Sequence, residues 1–499
     1  ETETALLRSR SSTGYSDSEQ IPPYISGWLI IACSDRMPGL RRFILCALAG
    51  LYQLKNILGI RDGYRNVFST SIGGRDLTGG ATMGGKKHLK PHREEHERLR
   101  IVYYVTGRGF GHATRAIEIC RHLIEEGHDV CICSTVPEYF FKNELPDILY
   151  RECEVDTAVI QHDAMTVSRK ESLELYYSHI HEKRDEILQR EKEFLEVARP
   201  DCVAVDAAPV ALAAAAAAGR PAALVSNFRW DYIYRGILAS LTEKELPPDL
   251  AARYEAMLGQ MNLDYRGADE WLRLPGHHPA PREKGDPSVV GVPLVVRRPH
   301  RSRAQARREL AAQFPADYAR LAVLSLGDHA RPDGREWDFR DEYLPPGWRC
   351  LVLGIDIRKR PATRLGSRFH LVDRDAYVPD LLMAADVVFG KLGYSTMAEL
   401  LATGRPCVYV SRKHWSEEPF LVDMLSQHGV LLRMPRRDLD SGAWAEHLEE
   451  AVEAQAVTGP GQCKYRECMD GGKVVAEILI EMAERRKKEM LSKTAGGSS

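Results

Sequence analysis

One stretch constrains this chain more than any other: Ile101–Arg115, IVYYVTGRGFGHATR. Ile101–Thr106 is apolar or β-branched almost throughout, the texture of a strand buried on both faces. Gly107, Gly109 and Gly111 follow, with His112 directly after. Helical periodicity then opens at once with Ala113, Ala116, Ile117, Ile119, Cys120, Leu123 and Ile124. The unit reads as strand, glycine turn and helix. Residues without Cβ let the backbone approach a ligand closely. A helix N-terminus offers free N–H groups and partial positive charge to an anion. His112 stands at the mouth of this turn, where an imidazole can act as a base near neutrality. The spacing G-x-G-x-G-H is not the dinucleotide fingerprint. The second strand also ends in Ser134-Thr135, where a ribose-binding acid is needed. The bland alternative is a tight strand–helix connection beside a satisfied core histidine.

The rest of the chain alternates as such a unit requires. Residues 1–99 are rich in Ser, Gly, Arg and Lys and dense in turn signals. They predict a poorly ordered N-terminal extension with a helix near 40–57. From residue 100, strands (Asp129–Thr135, Cys202–Val205, Ala222–Ser226) alternate with helices, including one long charged helix over Leu173–Ala198. Leu272–Pro299, rich in Pro, Gly and His, reads as a linker. A second series begins with a strand at Leu321–Leu326 and ends with a helix over Gly472–Met490. The pattern predicts an α/β protein of two Rossmann-like parallel-sheet domains, 100–285 and 286–470, facing across a cleft. The helix 471–490 is expected to pack back on the first domain, and 491–499 to form a disordered tail. Ligands of such sheets bind at the carboxyl ends of the strands.

The second chemistry-bearing stretch is Gly390–Glu399, GKLGYSTMAE. It follows a buried strand and enters a helix predicted over Tyr394–Thr403. Backbone N–H groups at Gly393 and the hydroxyls of Ser395 and Thr396 suit a diphosphate. Lys391 neutralises charge, and Glu399 accepts ribose hydroxyl bonds one turn into the helix. Ser325 and Gly327 end the first strand of the second half and join the phosphate candidates, as does Arg297. Glu417-Glu418-Pro419 opens the next helix, where acids are also ordinary dipole partners. Asp206, at the end of a first-half strand, is the candidate to orient His112.

A net charge of −2 gives no sign of nucleic-acid binding. Eleven cysteines form no C-x-x-C, and there is no N-x-[ST] sequon. Both point to a reducing, cytoplasmic setting, with an organelle address in the first residues left open. No run has transmembrane length. Gly80–Lys87 nearly spells a P-loop, but Lys87 replaces Ser/Thr and no strand precedes it. His92-x-x-Glu95-His96 matches an inverted zinc-protease pattern in a charged segment with no core around it.

Taken together, GRGFGH, GKLGYSTMAE and EEPF resemble the motifs of GT-B glycosyltransferases, in particular inverting enzymes of the cell-wall N-acetylglucosaminyltransferase and UDP-glucuronosyltransferase type. The resemblance implies a glycine loop carrying the base His112 and a donor signature with Gly393 and Thr396 matched and Glu399 at the ribose. Lys391 stands where relatives carry His or Arg. Glu417-Glu418 stands where the family usually has Asp-Gln or Gln-Gln against the donor sugar. Gly291-Val292-Pro293 followed by Arg297 resembles a linker whose arginine reaches phosphate. Stretches such as AVDAAPVA, SNFRWDYIY and PLVVRR resemble more specifically the glycosyltransferase-like half of plant arabinokinases, over residues 100–485. A GHMP-type kinase follows in that group, and its P-x-x-x-G-L-S-S-S-A loop is absent from this sequence.

The implied activity is metal-independent, inverting transfer of a sugar from a nucleotide-sugar, a UDP-sugar in the first instance, to a hydroxyl on a small molecule or glycan. The glycine turn, with Gly109 and Gly111, then closes over the donor. No cofactor beyond the nucleotide-sugar is implied. Two other readings stand beside it. One is a regulatory sugar-nucleotide-binding module serving a kinase partner or fusion. The other is a nucleotide-sugar epimerase on the same scaffold.

Overall fold

The computed structural model describes residues 97–496, apart from 108, 280–283, 313–317, 328–335, 357, 374 and 459–467. The expected extension through residue 96, its helix near 40–57 and the two motif look-alikes within it lie outside the described residues.

The first sheet contains β1 (Arg100–Val105), β2 (Asp129–Ser134), β3 (Leu149–Glu152), β4 (Cys202–Asp206), β5 (Ala222–Ser226), β6 (Glu270–Arg273) and β7 (Ser288–Gly291), in the order β3-β2-β1-β4-β5-β6-β7. Every pairing in it is parallel. The second contains β8 (Arg320–Ser325), β9 (Trp348–Leu353), β10 (Phe369–Leu371), β11 (Val387–Gly390), β12 (Cys407–Tyr409) and β13 (Leu431–Arg433), in the order β10-β9-β8-β11-β12-β13. It too is parallel throughout. Both sheets therefore run third-second-first-fourth-fifth-sixth, the doubly wound order. The order in which strands are added reverses in each sheet between its first and fourth strands. In register, Val105 lies beside Asp206 at one reversal, and Ser325 lies beside Gly390 at the other. The two glycine-bearing turns issue from these points.

Five helices position the site: α1 (Gly111–Glu125), α2 (Trp230–Ala239), α3 (Tyr394–Thr403), α4 (Glu418–His428) and α5 (Gly471–Gly496). β1 is buried at every position after Arg100, as its apolar run requires. α1 lays Ala113, Ala116, Ile117, Cys120 and Leu123 into the core. α5 buries Val475, Ala476, Leu479, Met482 and Ala483 in the same cluster and packs on α1. Gly472 permits that approach, since a Cβ there would come within 2.8 Å of Glu118.

Three segments differ from the sequence reading. The expected linker carries β6 and β7, so the first sheet continues past residue 285. β7 reads SVVG between Pro287 and Pro293; four residues at a sheet edge leave too little periodicity to detect. The long helix is split into Arg169–Tyr176, a π-turn over Tyr177–His181, and Arg184–Ala198. The wider turn, closed by Glu182 N–H donating to the Tyr177 carbonyl, buries both Tyr176 and Ile180. α5 runs on to Gly496 through residues expected to be disordered.

Candidate functional site

The site is assembled at the carboxyl ends of β1, β4 and β5. The β1 turn places Gly109 at φ +84°, a conformation natural only to glycine. His112 enters on the first turn of α1 with 14% of its side chain exposed. Its Nδ1 lies 2.8 Å from Asp206 Oδ1. Asp206 is fully buried at the end of β4, and the next residue, Ala207, is held at φ +67° with its carbonyl bonded by Tyr265. A non-glycine residue stores strain there.

Arg115 explains why a carboxylate persists in this interior. Its Nε donates to Asp206 Oδ2 at 2.6 Å and one terminal nitrogen donates to Oδ1. Burial alone pushes the Asp206 carboxyl up, but Arg115, seconded by His112, outweighs it and holds the carboxyl below its usual range. An ionised Asp206 can only accept a bond from His112. Nδ1 must then carry the proton, although an Arg115 nitrogen also lies 2.9 Å from it. The lone pair is left on Nε2, which has no partner among the described residues. Phe228, edge-on at 5.5 Å, and Trp230, at 6.3 Å, wall the ring.

The second half meets this turn directly. A Cβ on Gly111 would stand 3.6 Å from Ser395 Oγ, and Arg115 lies over the Tyr394 ring at 4.9 Å. The N-termini of α1 and α3 thus converge, and neither is capped by a side chain. Two like-signed dipole ends in contact favour an anion near them. A cavity of about 10 Å³ between them is lined by Thr114, Arg115, Arg297, Tyr394, Ser395 and Glu399.

Lys391 follows β11, where Gly390 takes φ +119° and the Lys391 N–H donates to the Ser325 carbonyl at 2.8 Å. Its ammonium has no hydrogen bond or ion pair among the described residues. Desolvation, and then Arg412, push it down to about 8, against the pull of Glu417. Gly393 is the N-cap of α3, with Ser395 and Thr396 in its half-buried first turn. Gly327, at φ +71°, lies against Gly354, where a Cβ would come within 2.8 Å.

Four of the residues expected to contact the donor have protein partners. Arg297 is buried between Glu144, at 2.6 Å, and Glu399, at 2.8 Å, joining the two halves. Glu399 is itself buried, and that burial raises its carboxyl despite Arg297. Glu417 accepts from Asn227 Nδ2 at 2.8 Å and from Trp415 Nε1 at 2.9 Å. Glu418 turns inward to Ser411 and to the Arg412 backbone and guanidinium.

Sequence reasoning missed Arg115, Asn227 and Asp156. The first sits one helical turn beyond His112 on the same face, a spacing that carries a signal. Asn227 directly follows β5, where ligand-facing residues gather. Asp156 lies in a loop without pattern; it accepts from Thr106 and from Trp230 Nε1 at 3.0 Å, and burial pushes its carboxyl up.

Two doubly wound sheets with their strand ends turned to one cleft make this the GT-B fold of glycosyltransferases. The glycotransferase of kitacinnamycin superposes with a TM-score of 0.50 at 17% identity, over 77% of this chain and 99% of that one. Glycosyltransferase VinC, solved in complex with DTDP, follows at 0.46 and 16%, over 78% and 100%. In sequence the chain is similar to L-arabinokinase of Arabidopsis thaliana, 38% identical over 389 residues. Those residues are 77% of this chain and 34% of that protein, so the chain spans about a third of its curated relative's length. No family model matches the chain. No helix among the described residues is long and apolar enough to cross a membrane.

Because Arg115 is the cation that keeps Asp206 charged in the core, Arg115→Ala is expected to lower unfolding stability by about 3–5 kcal/mol in denaturant titrations.

Proposed function

We propose that this chain is a nucleotide-sugar-dependent glycosyltransferase. The observation that carries the reading is an imidazole whose Nδ1 is fixed on a buried carboxylate while Nε2 stays free at the cleft. That is the arrangement of a general base. The acceptor hydroxyl attacks the anomeric carbon of the donor in line, and its proton passes to His112 Nε2. The new C–O bond forms as the bond from the anomeric carbon to phosphate breaks, with inversion. The electron pair leaves with the nucleoside diphosphate. Lys391 and the converging N-termini of α1 and α3 take that charge, so the step needs no metal. Gly109 and Gly111 let the turn close over the donor, and Ser325, Gly327, Gly393, Ser395 and Thr396 line the phosphate side. Closure of the cleft over the donor would exclude water from the transfer.

A second reading is a sugar-nucleotide-binding module of an L-arabinokinase-like protein, without turnover. The Arg297–Glu399 pair favours it, because the acid expected at the ribose is already neutralised. Similarity to L-arabinokinase also favours it.

Calorimetry with UDP-, GDP- and TDP-sugars, followed by transfer assays on a panel of hydroxylated acceptors, separates the two. Binding with transfer supports the enzyme, binding alone supports the module, and no binding overturns the donor site. His112→Ala should cut transfer by about 10²–10⁴-fold and leave donor affinity nearly intact; surviving transfer would remove His112 as the base. Lys391 titrates near pH 8, and an anion favours its charged form. Binding of a nucleoside diphosphate at pH 8 should therefore take up protons, seen as a buffer-dependent heat. In Lys391→Met the uptake should vanish and the affinity fall about 10–100-fold.

A further inference from the structure

Glu417 has both carboxylate oxygens occupied. Oε2 accepts from the indole of Trp415, and Oε1 accepts from Asn227 across the boundary between the halves. The Asn227 amide continues the chain in one direction. Its NH₂ donates to Glu417, and its carbonyl accepts from Arg115 NH1 at 2.7 Å. Arg115 grips both oxygens of Asp206, and Asp206 holds His112 Nδ1. Asn227 and Asp206 are fully buried, Glu417 and Arg115 nearly so. Removing any one leaves a desolvated polar group without its partner. From the second half, this file of donors and acceptors ends at the ring of His112.

We propose that Asn227 and Glu417 are positioning residues that fix the His112 ring through Arg115 and Asp206 when the two halves are closed. The role rests on the transferase reading. It assigns the acid at the position expected to touch the donor sugar to the base instead. With the halves apart, Asn227 loses Glu417, and Arg115 is held only by first-half groups: Asp206, Asn227 and Ser226 Oγ at 3.2 Å. Asp206 then stays ionised, but the ring has one fewer constraint on its orientation. This ordering suits transfer over hydrolysis, since an idle base in an open cleft would also activate water.

The test is a double-mutant cycle on the full chain. Asn227→Ala and Glu417→Ala should each lower the transfer kcat by about 10-fold and leave donor Kd within about two-fold. The double variant should be no worse than either single one, and Glu417→Gln, which can still accept from Asn227, should recover most of the rate. A rise in donor Kd for Glu417→Ala alone, with additive effects in the double variant, would overturn the proposal and return Glu417 to the donor sugar. An independent arm reads the nitrogen NMR spectrum of labelled histidine in the nucleoside diphosphate complex. His112 should hold the Nδ1–H tautomer in every variant, because Asp206 stays ionised, with ring-nitrogen signals that are sharp in the native chain and broadened by ring motion in Asn227→Ala and Glu417→Ala. Signals as sharp in both variants as in the native chain would also overturn it. A native chain that binds the nucleotide, shows these signals and transfers nothing would sink the enzyme reading while leaving the positioning network standing.

Discussion

Everything at the cleft depends on one buried ion pair, Asp206 with Arg115. An ionised carboxylate without exposed surface survives only if a cation is held against it with good geometry. Arg115 supplies two donors to its two oxygens, and β4 and α1 hold the partners rigidly. From that pair follow the tautomer of His112, the free lone pair on Nε2 and the direction of the bonds leading to Glu417. Arg115 also spends its third nitrogen on Asn227 and its π-face on Tyr394. It thereby ties the first half's chemistry to the second half's glycine loop.

The second constraint is electrostatic and belongs to both halves. Two helix N-termini meet in the cleft, and Lys391, half-buried and without an ionic partner among the described residues, lies just ahead of one of them. Such a place is unfavourable until an anion enters. The paired acids nearby limit how that anion binds. Glu399 is neutralised by Arg297, and Glu418 by Arg412 and Ser411. Under the proposed reading, the closed Arg297–Glu399 pair favours contacts to phosphate over contacts to ribose. This is the feature that keeps a binding module in contention with an enzyme.

Most of this fold was legible because its signals are local. The apolar run of β1, the glycine turn and the start of α1 lie in fifteen consecutive residues, and α3 occupies Tyr394–Thr403 as its pattern indicates. Short edge strands such as β7 escaped because four residues between prolines carry no period. The π-turn escaped because its cause, the joint burial of Tyr176 and Ile180, is a tertiary matter. Candidate site residues divide the same way. Residue type and spacing singled out His112, Asp206, Lys391, Arg297 and Glu417. The protein partners of the last two were invisible, because the Arg297–Glu144 and Asn227–Glu417 bonds join positions 153 and 190 residues apart.

The central claim is that the cleft holds a nucleoside diphosphate against Lys391 and the N-terminus of α3 while His112 faces the acceptor side. A crystal structure of the chain with a bound nucleoside diphosphate tests it most directly. The account predicts the β-phosphate in contact with the Lys391 ammonium and the Ser395–Thr396 backbone, with His112 Nε2 open to the cleft and Nδ1 still on Asp206. Phosphates seated on the Gly107–Gly111 turn with Lys391 left aside, or His112 turned away from Asp206, would contradict it.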